Sequence, residues 1–216
     1  MISSTKTPIC KLCMQVSLRP SLSTIISNNQ LCPNCLNAFQ VDFFARKVEG
    51  VKVLSLYLYE ENFKGALYRY KGQGDIELSN VFLANYLWYL KIKYYGYILV
   101  PAPSKEESDE KRGFNHVIEV FKMVNVAFIE CIKKKDDFKQ SELHFDERQN
   151  VIDKLEVVKG ERVRGKKILL VDDLFTTGAT VKAMIKLLKP YNPKKIQVLT
   201  LAYTKISDHH APSGQD

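Results

Sequence analysis

The stretch ILLVDDLFTTGATV (residues 168–181) is the feature that most limits the possible folds of this chain. Its first four residues are apolar, as in a strand buried on both faces, and two adjacent carboxylates follow, Asp172 and Asp173. A sheet does not tolerate unpaired acids in its interior, so we expect the strand to open there onto water or a ligand. The threonines and glycine that come next predict a tight turn into a helix.

Apolar, strand-like runs alternate with helical patterns along most of the chain, which predicts an α/β fold with an open parallel sheet. Strands are predicted at 51–59, 95–101, 126–132, 166–173 and 194–203, and helices within 76–93, 113–124 and 178–189. The aromatic density of 76–93 is more typical of core than of a ligand platform. We expect 36–50 to form a linker. The polar segment 133–150 is expected to be a mobile loop with a functional role.

Composition and charge indicate the class of protein and its expected partners. With 216 residues, 45% of them apolar, the chain can form one main domain with a substantial core and a small appendage. The start MISSTKTPIC lacks the pattern of a signal peptide, and no apolar run approaches the roughly 20 residues that span a bilayer. A cytoplasmic location without a membrane span is therefore expected. The formal net charge of +8 favours polyanionic partners such as nucleic acid.

Four of the five cysteines form two C-x2-C pairs, Cys10 with Cys13 and Cys32 with Cys35, separated by 18 residues. This spacing is typical of a four-cysteine Zn²⁺ site, which is structural because four protein ligands leave no open coordination position. Metal binding would supply folding energy that so small a module lacks. The alternatives are two disulfides, which a reducing cytoplasm disfavours, and four unrelated thiols, which rarely show this paired spacing by chance. Cys131 lies in an apolar stretch and is expected to be a buried spectator.

The loop after the acidic pair has the chemistry of a phosphate site. Its backbone N–H groups, the hydroxyls of Thr176, Thr177 and Thr180, and the dipole of the helix that follows all favour an anion. The carboxylates would repel a phosphate unless they hold hydroxyl donors or a cation. A phosphorylated sugar meets both conditions, because its ribose hydroxyls can donate to the acids. A magnesium site, or a plain strand end before a capped helix, remains the alternative.

Several stretches of the sequence are similar to the ComF family of competence proteins, whose main domain resembles type I phosphoribosyltransferases. They are YKGQGD (70–75), VPAPS (100–104), RGFNH (112–116), KQSELHFDERQNV (139–151) and VDDLFTTGAT (171–180). A four-cysteine module ahead of a transferase-like domain is also typical of that family. The resemblance implies a zinc-finger module over 1–45 and a phosphoribosyltransferase-like domain over 46–206. The polar segment 207–216 is expected to be a disordered tail.

The resemblance also implies which residues bind phosphoribosyl pyrophosphate (PRPP). Asp172 and Asp173 would hold the ribose hydroxyls and take part in catalysis. Lys139 and Arg148 would act from a lid, with Gln140 and Asn150, that closes over the leaving pyrophosphate and its Mg²⁺. The 5′-phosphate cradle would consist of Thr176, Thr177, Gly178, Ala179 and Thr180. The pyrophosphate loop would contribute Ser104, Lys105 and Arg112.

One departure from the family pattern lies in that pyrophosphate loop. Arginines usually precede the R-G-F-N run, whereas this chain has four acids there: Glu106, Glu107, Asp109 and Glu110. We expect these acids to weaken pyrophosphate binding.

Two classes of function follow. The first, which the resemblance favours, is a protein of the DNA-uptake machinery that binds PRPP with Mg²⁺ and single-stranded DNA beside a competence helicase. Candidate DNA-contacting clusters are Lys182, Lys186 and Lys189 on one helix face, and Arg162, Arg164, Lys166 and Lys167 before the signature strand. Either cluster is also consistent with an ordinary solvated surface. The alternative function is an active phosphoribosyltransferase that acts on a nucleobase or a related acceptor.

Overall fold

The structure is a computed structural model that describes residues 9–16, 31–124, 127–135 and 150–205. The strands are β1 (Val41–Val48), β2 (Val51–Leu58), β3 (Tyr97–Pro101), β4 (Ile132–Lys134), β5 (Leu155–Val157), β6 (Lys167–Phe175) and β7 (Lys195–Tyr203). The α-helices are α1 (Pro33–Asn37), α2 (Glu61–Leu67), α3 (Leu87–Lys93), α4 (Glu106–Arg112), α5 (His116–Phe121), α6 (Asn150–Asp153) and α7 (Ala179–Leu188). A π-helical turn spans Tyr68–Gly72, and 3₁₀ turns span Ile76–Asn80, Ala84–Tyr86, Lys122–Val124, Gly160–Val163 and Lys189–Tyr191.

The main sheet of the described residues has five strands in the order β1-β2-β7-β6-β3. Strands β2, β7, β6 and β3 are parallel, and β1 runs antiparallel to β2 at one edge. Strands β4 and β5 form a separate antiparallel pair. The predicted α/β fold with an open, mainly parallel sheet is therefore confirmed.

The signature strand β6 is buried on both faces of the sheet. Leu169 and Val171 pack into a core with α5 and the aromatic segment between β2 and β3. Ile168 and Leu170 point to the other face and pack with the apolar side of α7. Alternate residues of a strand face opposite sides, so helices on both faces require the unbroken apolar run that the sequence shows.

The expected linker at 36–50 is wrong, because β1 occupies most of it. The residues of β1 alternate between exposed and half-buried, and none is fully buried. An edge strand of this kind carries a weak hydrophobic signal, which explains why sequence patterning missed it. The proposed domain boundary at residue 45 falls inside β1 and stays a prediction. Cys10 and Leu31 of the N-terminal segment pack in the same core as the α/β domain.

Three predicted elements differ from the observed ones. The segment 76–93 is divided into two 3₁₀ turns and α3, and it is only partly core, since Phe82 is buried but Trp88 is 66% exposed. The helix predicted at 113–124 begins later, because Gly113 adopts a left-handed φ of 81° and ends α4. In the described part of 126–132, strand pairing is limited to a single parallel bridge between Phe128 and Leu99 and to the first residue of β4.

The proposed lid residues Lys139, Gln140 and Arg148 and the proposed tail at 207–216 lie outside the described residues. Among the residues that the structure does describe, no helix combines the length and the apolar character that a bilayer crossing requires.

Candidate ligand and metal sites

The acidic pair lies within β6, two residues before the strand ends, rather than at its end as predicted. Strand β7 continues to pair with β6 as far as Phe175, which keeps the backbone extended. On the other side, β3 ends at Pro101 opposite Val171. From Asp172 onward, β6 therefore has, among the described residues, no strand paired to it on the side of β3, although it stays paired with β7 on the other side.

Asp173 is buried and held by two basic side chains. Its Oδ2 lies 2.5 Å from Lys71 Nζ and 3.3 Å from His116 Nε2, and the residue is 7% exposed. Burial alone would raise the pKa of Asp173, but the hydrogen bond from His116 and the charge of Lys71 outweigh it and hold the pKa below its usual range. The carboxylate is thus an anion with two donors from the protein, and the expectation that the strand opens onto water or a ligand at this point stays a prediction.

Asp172 is the member of the pair whose ionisation is unfavourable. Burial, and then the neighbouring charge of Asp173, raise its pKa well above the usual value. Its Oδ1 accepts a hydrogen bond of 2.9 Å from the Asp173 backbone N–H. A second negative charge here is favoured only when a cation or hydroxyl donors approach, so the carboxylate oxygens fit Mg²⁺ or a sugar.

Three lysines lie around the acidic pair. Burial lowers the pKa of Lys134, and the positive charges of Lys105 and Lys71 lower it further, whereas Asp172 and Asp109 act in the opposite direction. The charges of these side chains therefore influence one another and Asp172, and Lys71 contacts Asp173 directly. Cations placed in this way suit a polyanionic ligand.

Sequence reasoning assigned no role to three of these residues. Lys71 and His116 lie in the quoted stretches YKGQGD and RGFNH, so the signal that could have identified them was present. Lys134 belongs to the run KKK at 133–135, which gives no sign that one of its members approaches the acidic pair.

The predicted phosphate cradle comes together at the N-terminus of α7. Gly178 precedes the helix with a left-handed φ of 78°, and a Cβ at this position would lie 2.5 Å from the Phe175 ring. Glycine is therefore required for both conformation and space. Thr176 and Thr177 are exposed, and Thr180 is half-buried. The Ala179 backbone N–H donates to Thr177 Oγ1 over 3.4 Å, and the role of this loop in binding phosphate stays a prediction.

The predicted pyrophosphate loop forms helix α4 and its flanks, where a network of contacts surrounds Asp109. Ser104 Oγ donates to Asp109, and Asn115 Nδ2 donates to the same carboxylate over 3.0 Å. Arg112 Nη1 lies 3.0 Å from Asp109, and Arg112 Nε donates to the Lys71 carbonyl over 2.9 Å. Arg112 is thus engaged by protein groups in this conformation, while Lys105 is exposed.

The four cysteines of the predicted metal site are brought together. Their Sγ atoms all lie within 4.8 Å of one another, and all four thiols are free. A tetrahedral zinc ion with bonds of about 2.3 Å places its sulfurs about 3.8 Å apart. The Sγ atoms of Cys13 and Cys32 are 3.8 Å apart. The cluster therefore has the dimensions of a metal site, and Cys131 lies outside it, buried as predicted.

The electrostatics of the cluster also fit a cation. Burial disfavours the Cys10 thiolate, but backbone N–H groups of Cys13, Cys32 and Leu12 outweigh it and lower the pKa of Cys10 to about 6. Burial and the neighbouring sulfurs raise the pKa of Cys35 far above its usual value. A second thiolate is therefore unfavourable until a cation binds.

The basic face predicted on α7 is partly engaged. Lys182 Nζ lies 3.5 Å from Glu49 Oε1, and Lys189 Nζ donates to the Glu49 carbonyl over 3.2 Å. Lys186 is exposed. In the second cluster, Arg164 forms a bidentate pair with Glu161. Both clusters therefore offer less uncompensated charge than the sequence suggested.

Comparison with known proteins gives consistent matches. The family described as "Phosphoribosyl transferase domain" matches residues 113–214. Competence protein ComFC of Streptococcus pneumoniae (strain ATCC BAA-255 / R6) is 28% identical over 176 residues, which are 79% of each chain. Competence protein ComFC of Bacillus subtilis (strain 168) is 31% identical over 59% of this chain, and the match spans 53% of that relative. The structure of purine phosphoribosyltransferase from Pyrococcus horikoshii Ot3 aligns with 60% of this chain and 77% of its own. The identity is 15% and the TM-score is 0.37, so we draw no structural inference from it.

The family match includes the acidic pair and the loop after it, and the match to the Streptococcus pneumoniae relative covers 79% of the chain. Together with the mainly parallel sheet and the four-cysteine cluster, these similarities support a ComFC-like protein with a phosphoribosyltransferase-type fold.

Proposed function

We propose that this protein binds PRPP together with Mg²⁺ at the acidic pair and the loop that follows it. The observation that carries the proposal is the state of Asp172, a carboxylate whose ionisation is opposed by burial and by Asp173. Ribose hydroxyls or Mg²⁺ would relieve this penalty. The loop that ends at Gly178 offers the 5′-phosphate a helix N-terminus directly beside the carboxylates.

The lysines around the pair have a matching role in this proposal. Pyrophosphate carries several negative charges, and Lys71, Lys105 and Lys134 would offset them on the side of α4 and β4. Mg²⁺ prefers oxygen ligands and usually keeps contacts with substrate phosphates, so it would be held by the carboxylates and the ligand together.

The two ComFC relatives carry the name of competence proteins. On that basis the biological role of this chain is in DNA uptake during natural transformation, in the cytoplasm and beside a competence helicase. Its substrate in that role is single-stranded DNA.

An exposed aromatic face on α3 supports single-stranded DNA as that partner. Trp88 is 66% exposed and Ile92 is 76% exposed, and Tyr95, two residues after the helix ends, is 85% exposed. Lys91 Nζ lies 5.5 Å from the centre of the Trp88 ring, and Lys93 Nζ lies 4.9 Å from that of Tyr89. Alternating rings and cations are what unpaired bases and their phosphates require.

The sequence segment that carries this aromatic face has charges of a single sign. Residues 78–105 contain no Asp or Glu, so no acid from this segment repels a nucleic-acid backbone. The α3 face is therefore a better candidate for DNA contact than the α7 face, where Glu49 already contacts Lys182 and Lys189.

Zn²⁺ in the four-cysteine cluster has a structural role in this proposal. Four thiolates complete a tetrahedron and leave no position for a reacting group. The ion would fix the turn that contains Lys11 and Leu12, which contacts the rest of the protein through Arg69 and Glu77.

The alternative function, transfer of phosphoribose to a nucleobase or a related acceptor, is favoured by the network around Asp109. Ser104, Asn115 and Arg112 all bind this carboxylate. Glu106 is paired with Lys133 at 3.2 Å. Two of the four acids that were expected to repel pyrophosphate are therefore compensated.

One experiment tests both functions. PRPP is titrated into the protein by calorimetry with and without Mg²⁺, and pyrophosphate release is then assayed with a panel of bases. Mg²⁺-dependent binding without release supports the binding function, and release with one base supports the transferase. If the protein binds no PRPP either with or without Mg²⁺, both the binding function and the transferase function are contradicted.

A further inference from the structure

Three consecutive residues of the π-helical turn Tyr68–Gly72 contact three different parts of the protein. Arg69 Nη1 donates to the Leu12 carbonyl over 2.6 Å, in the turn between the first two cysteines. The hydroxyl of the buried Tyr70 donates to the His116 carbonyl over 2.7 Å. Lys71 Nζ contacts Asp173. The turn therefore lies directly between the cysteine cluster and the acidic pair.

Both groups of the hydrogen bond between Arg69 and the Leu12 carbonyl are held in place by further contacts. Its Nη2 is paired with Asp75 at 2.8 Å, which fixes the guanidinium within its own segment. On the side of the cluster, the turn is closed by backbone bonds of Cys10 with Met14 and Gln15, each of 2.9 Å. Leu12 lies between Cys10 and Cys13 in the sequence. A metal ion bound to these two cysteines would therefore fix the Leu12 carbonyl, which accepts the hydrogen bond from Arg69.

The position of Lys71 depends on the same turn. Its carbonyl accepts from Arg112 Nε, and Arg112 Nη1 lies 3.1 Å from His116 Nδ1. Both donors of Asp173 are therefore connected to the π-helical turn. Turns of this type are frequent at functional sites, where one extra residue per turn redirects side chains.

We propose that Arg69 is a positioning residue through which metal binding at the cysteine cluster strengthens PRPP binding at the acidic pair. The proposal rests on the proposed function of both sites. Metal binding orders the Leu12 carbonyl, this carbonyl holds Arg69, and Arg69 holds the turn that places Lys71 against Asp173. Because coupling between two binding sites is reciprocal, PRPP should strengthen metal binding by the same factor.

The chain offers a matched control. Lys11 Nζ pairs with Glu77 at 2.7 Å, which also connects the cysteine turn to the domain, but through a different segment. Glu77 is on the 3₁₀ turn that follows, and its side chain is 71% exposed. Glu77→Gln therefore removes the ion pair of Lys11, whose bond to the Glu77 carbonyl remains, and leaves the contacts of Arg69 and Lys71 in place.

The test compares the zinc-loaded full chain with its Arg69→Gln and Glu77→Gln variants, all at equal metal content. PRPP affinity with Mg²⁺ is measured by calorimetry. We expect Arg69→Gln to weaken PRPP binding about fivefold or more, the lower range of measured couplings. Glu77→Gln should leave it within about twofold, and Arg69→Lys, which can still donate to Leu12, should restore part of the loss. Equal affinity of wild type and Arg69→Gln overturns the proposal.

A second measurement needs no variant and excludes misfolding as the cause. Zinc affinity of the wild type is determined by competition with a chelator, with and without PRPP and Mg²⁺. The coupling predicts tighter zinc binding in the presence of PRPP, by the same factor by which zinc strengthens PRPP binding. If the wild type binds PRPP but its zinc affinity is unchanged, the coupling is wrong and the proposed function stands. If the wild type binds no PRPP, both are wrong.

Discussion

Lys71 and Asp173 form an ion pair across 102 positions of the sequence, with 2.5 Å between Nζ and Oδ2. The contact joins the π-helical turn that follows α2 to the buried signature strand. It also places a cation beside the open edge of β6, where the proposed ligand would bind. The acidic pair is thus part of a charge network rather than an isolated strand end.

Lys71→Gln should lower the free energy of unfolding by about 1 kcal/mol at neutral pH, because it leaves a buried carboxylate with one donor fewer. The value is at the low end because the Lys71 side chain is 44% exposed and water screens the pair. The pKa of Asp173 is lowered, so its contribution is present above its unfolded value and is lost as the pH falls through the folded value. The deficit measured by denaturant unfolding should therefore shrink in acid. A loss as small as that of Lys64→Gln, an exposed lysine on α2, would contradict the assignment.

Asp172→Asn should stabilise the ligand-free protein at neutral pH, because it removes a carboxyl group whose pKa is raised by burial and by Asp173. A raised folded pKa means that the contribution of Asp172 is present below its unfolded value and is lost as the pH rises through the folded value. The advantage of the variant should therefore grow with pH. About 1 kcal/mol corresponds to an increase in Tm of about 2–4 °C in a chain of this size. A variant that is less stable than wild type at pH 8 would refute this account.

The sequence was sufficient for elements whose signal is local. The apolar run of β6, the glycine before α7 and the spacing of the four cysteines each follow from neighbouring residues, and the structure confirms them. The partners of Asp173 could not be predicted, because Lys71 and His116 reach it only through the tertiary fold. Strand β1 was missed because it is an edge strand that buries no residue completely. Helix α4 was missed because its seven residues include no apolar side chain and show no hydrophobic periodicity.

In the purified protein, the cysteine cluster should bind one zinc ion per chain. Cys13→Ser should lower the zinc affinity by tenfold or more, since the thiolate is replaced by a weak ligand. Cys131→Ala is the control, because this buried cysteine is outside the cluster and its loss should leave the metal content unchanged. Metal analysis by mass spectrometry checks both variants, and a wild-type protein without zinc would rule out the site.

The α3 face should dominate binding of single-stranded DNA. Trp88→Ala should weaken binding about tenfold, since stacking contributes about 1–3 kcal/mol per base, while the dependence on salt stays the same. Lys91→Gln with Lys93→Gln should instead reduce the salt slope by about 0.7 for each phosphate contact that is lost. Fluorescence anisotropy with a labelled oligonucleotide at several salt concentrations measures both effects.

The comparison for that experiment is the α7 face. The triple variant Lys182→Gln, Lys186→Gln and Lys189→Gln removes more charge than the α3 variant, but two of these lysines already contact Glu49. We expect a smaller change in affinity from this variant than from Trp88→Ala. The opposite order would assign DNA binding to α7 and leave the aromatic face of α3 without a role in it.

The most direct test of the central claim is thermal unfolding of wild type and Asp172→Asn with and without PRPP and Mg²⁺. At a PRPP concentration of about 100 times Kd, binding should stabilise the wild type by about 2.7 kcal/mol, which raises Tm by several degrees. Asp172→Asn should begin from a higher Tm at neutral pH and show almost no further increase, so that loss of binding cannot be attributed to unfolding. An equal increase in both proteins would contradict the claim that the acidic pair binds PRPP.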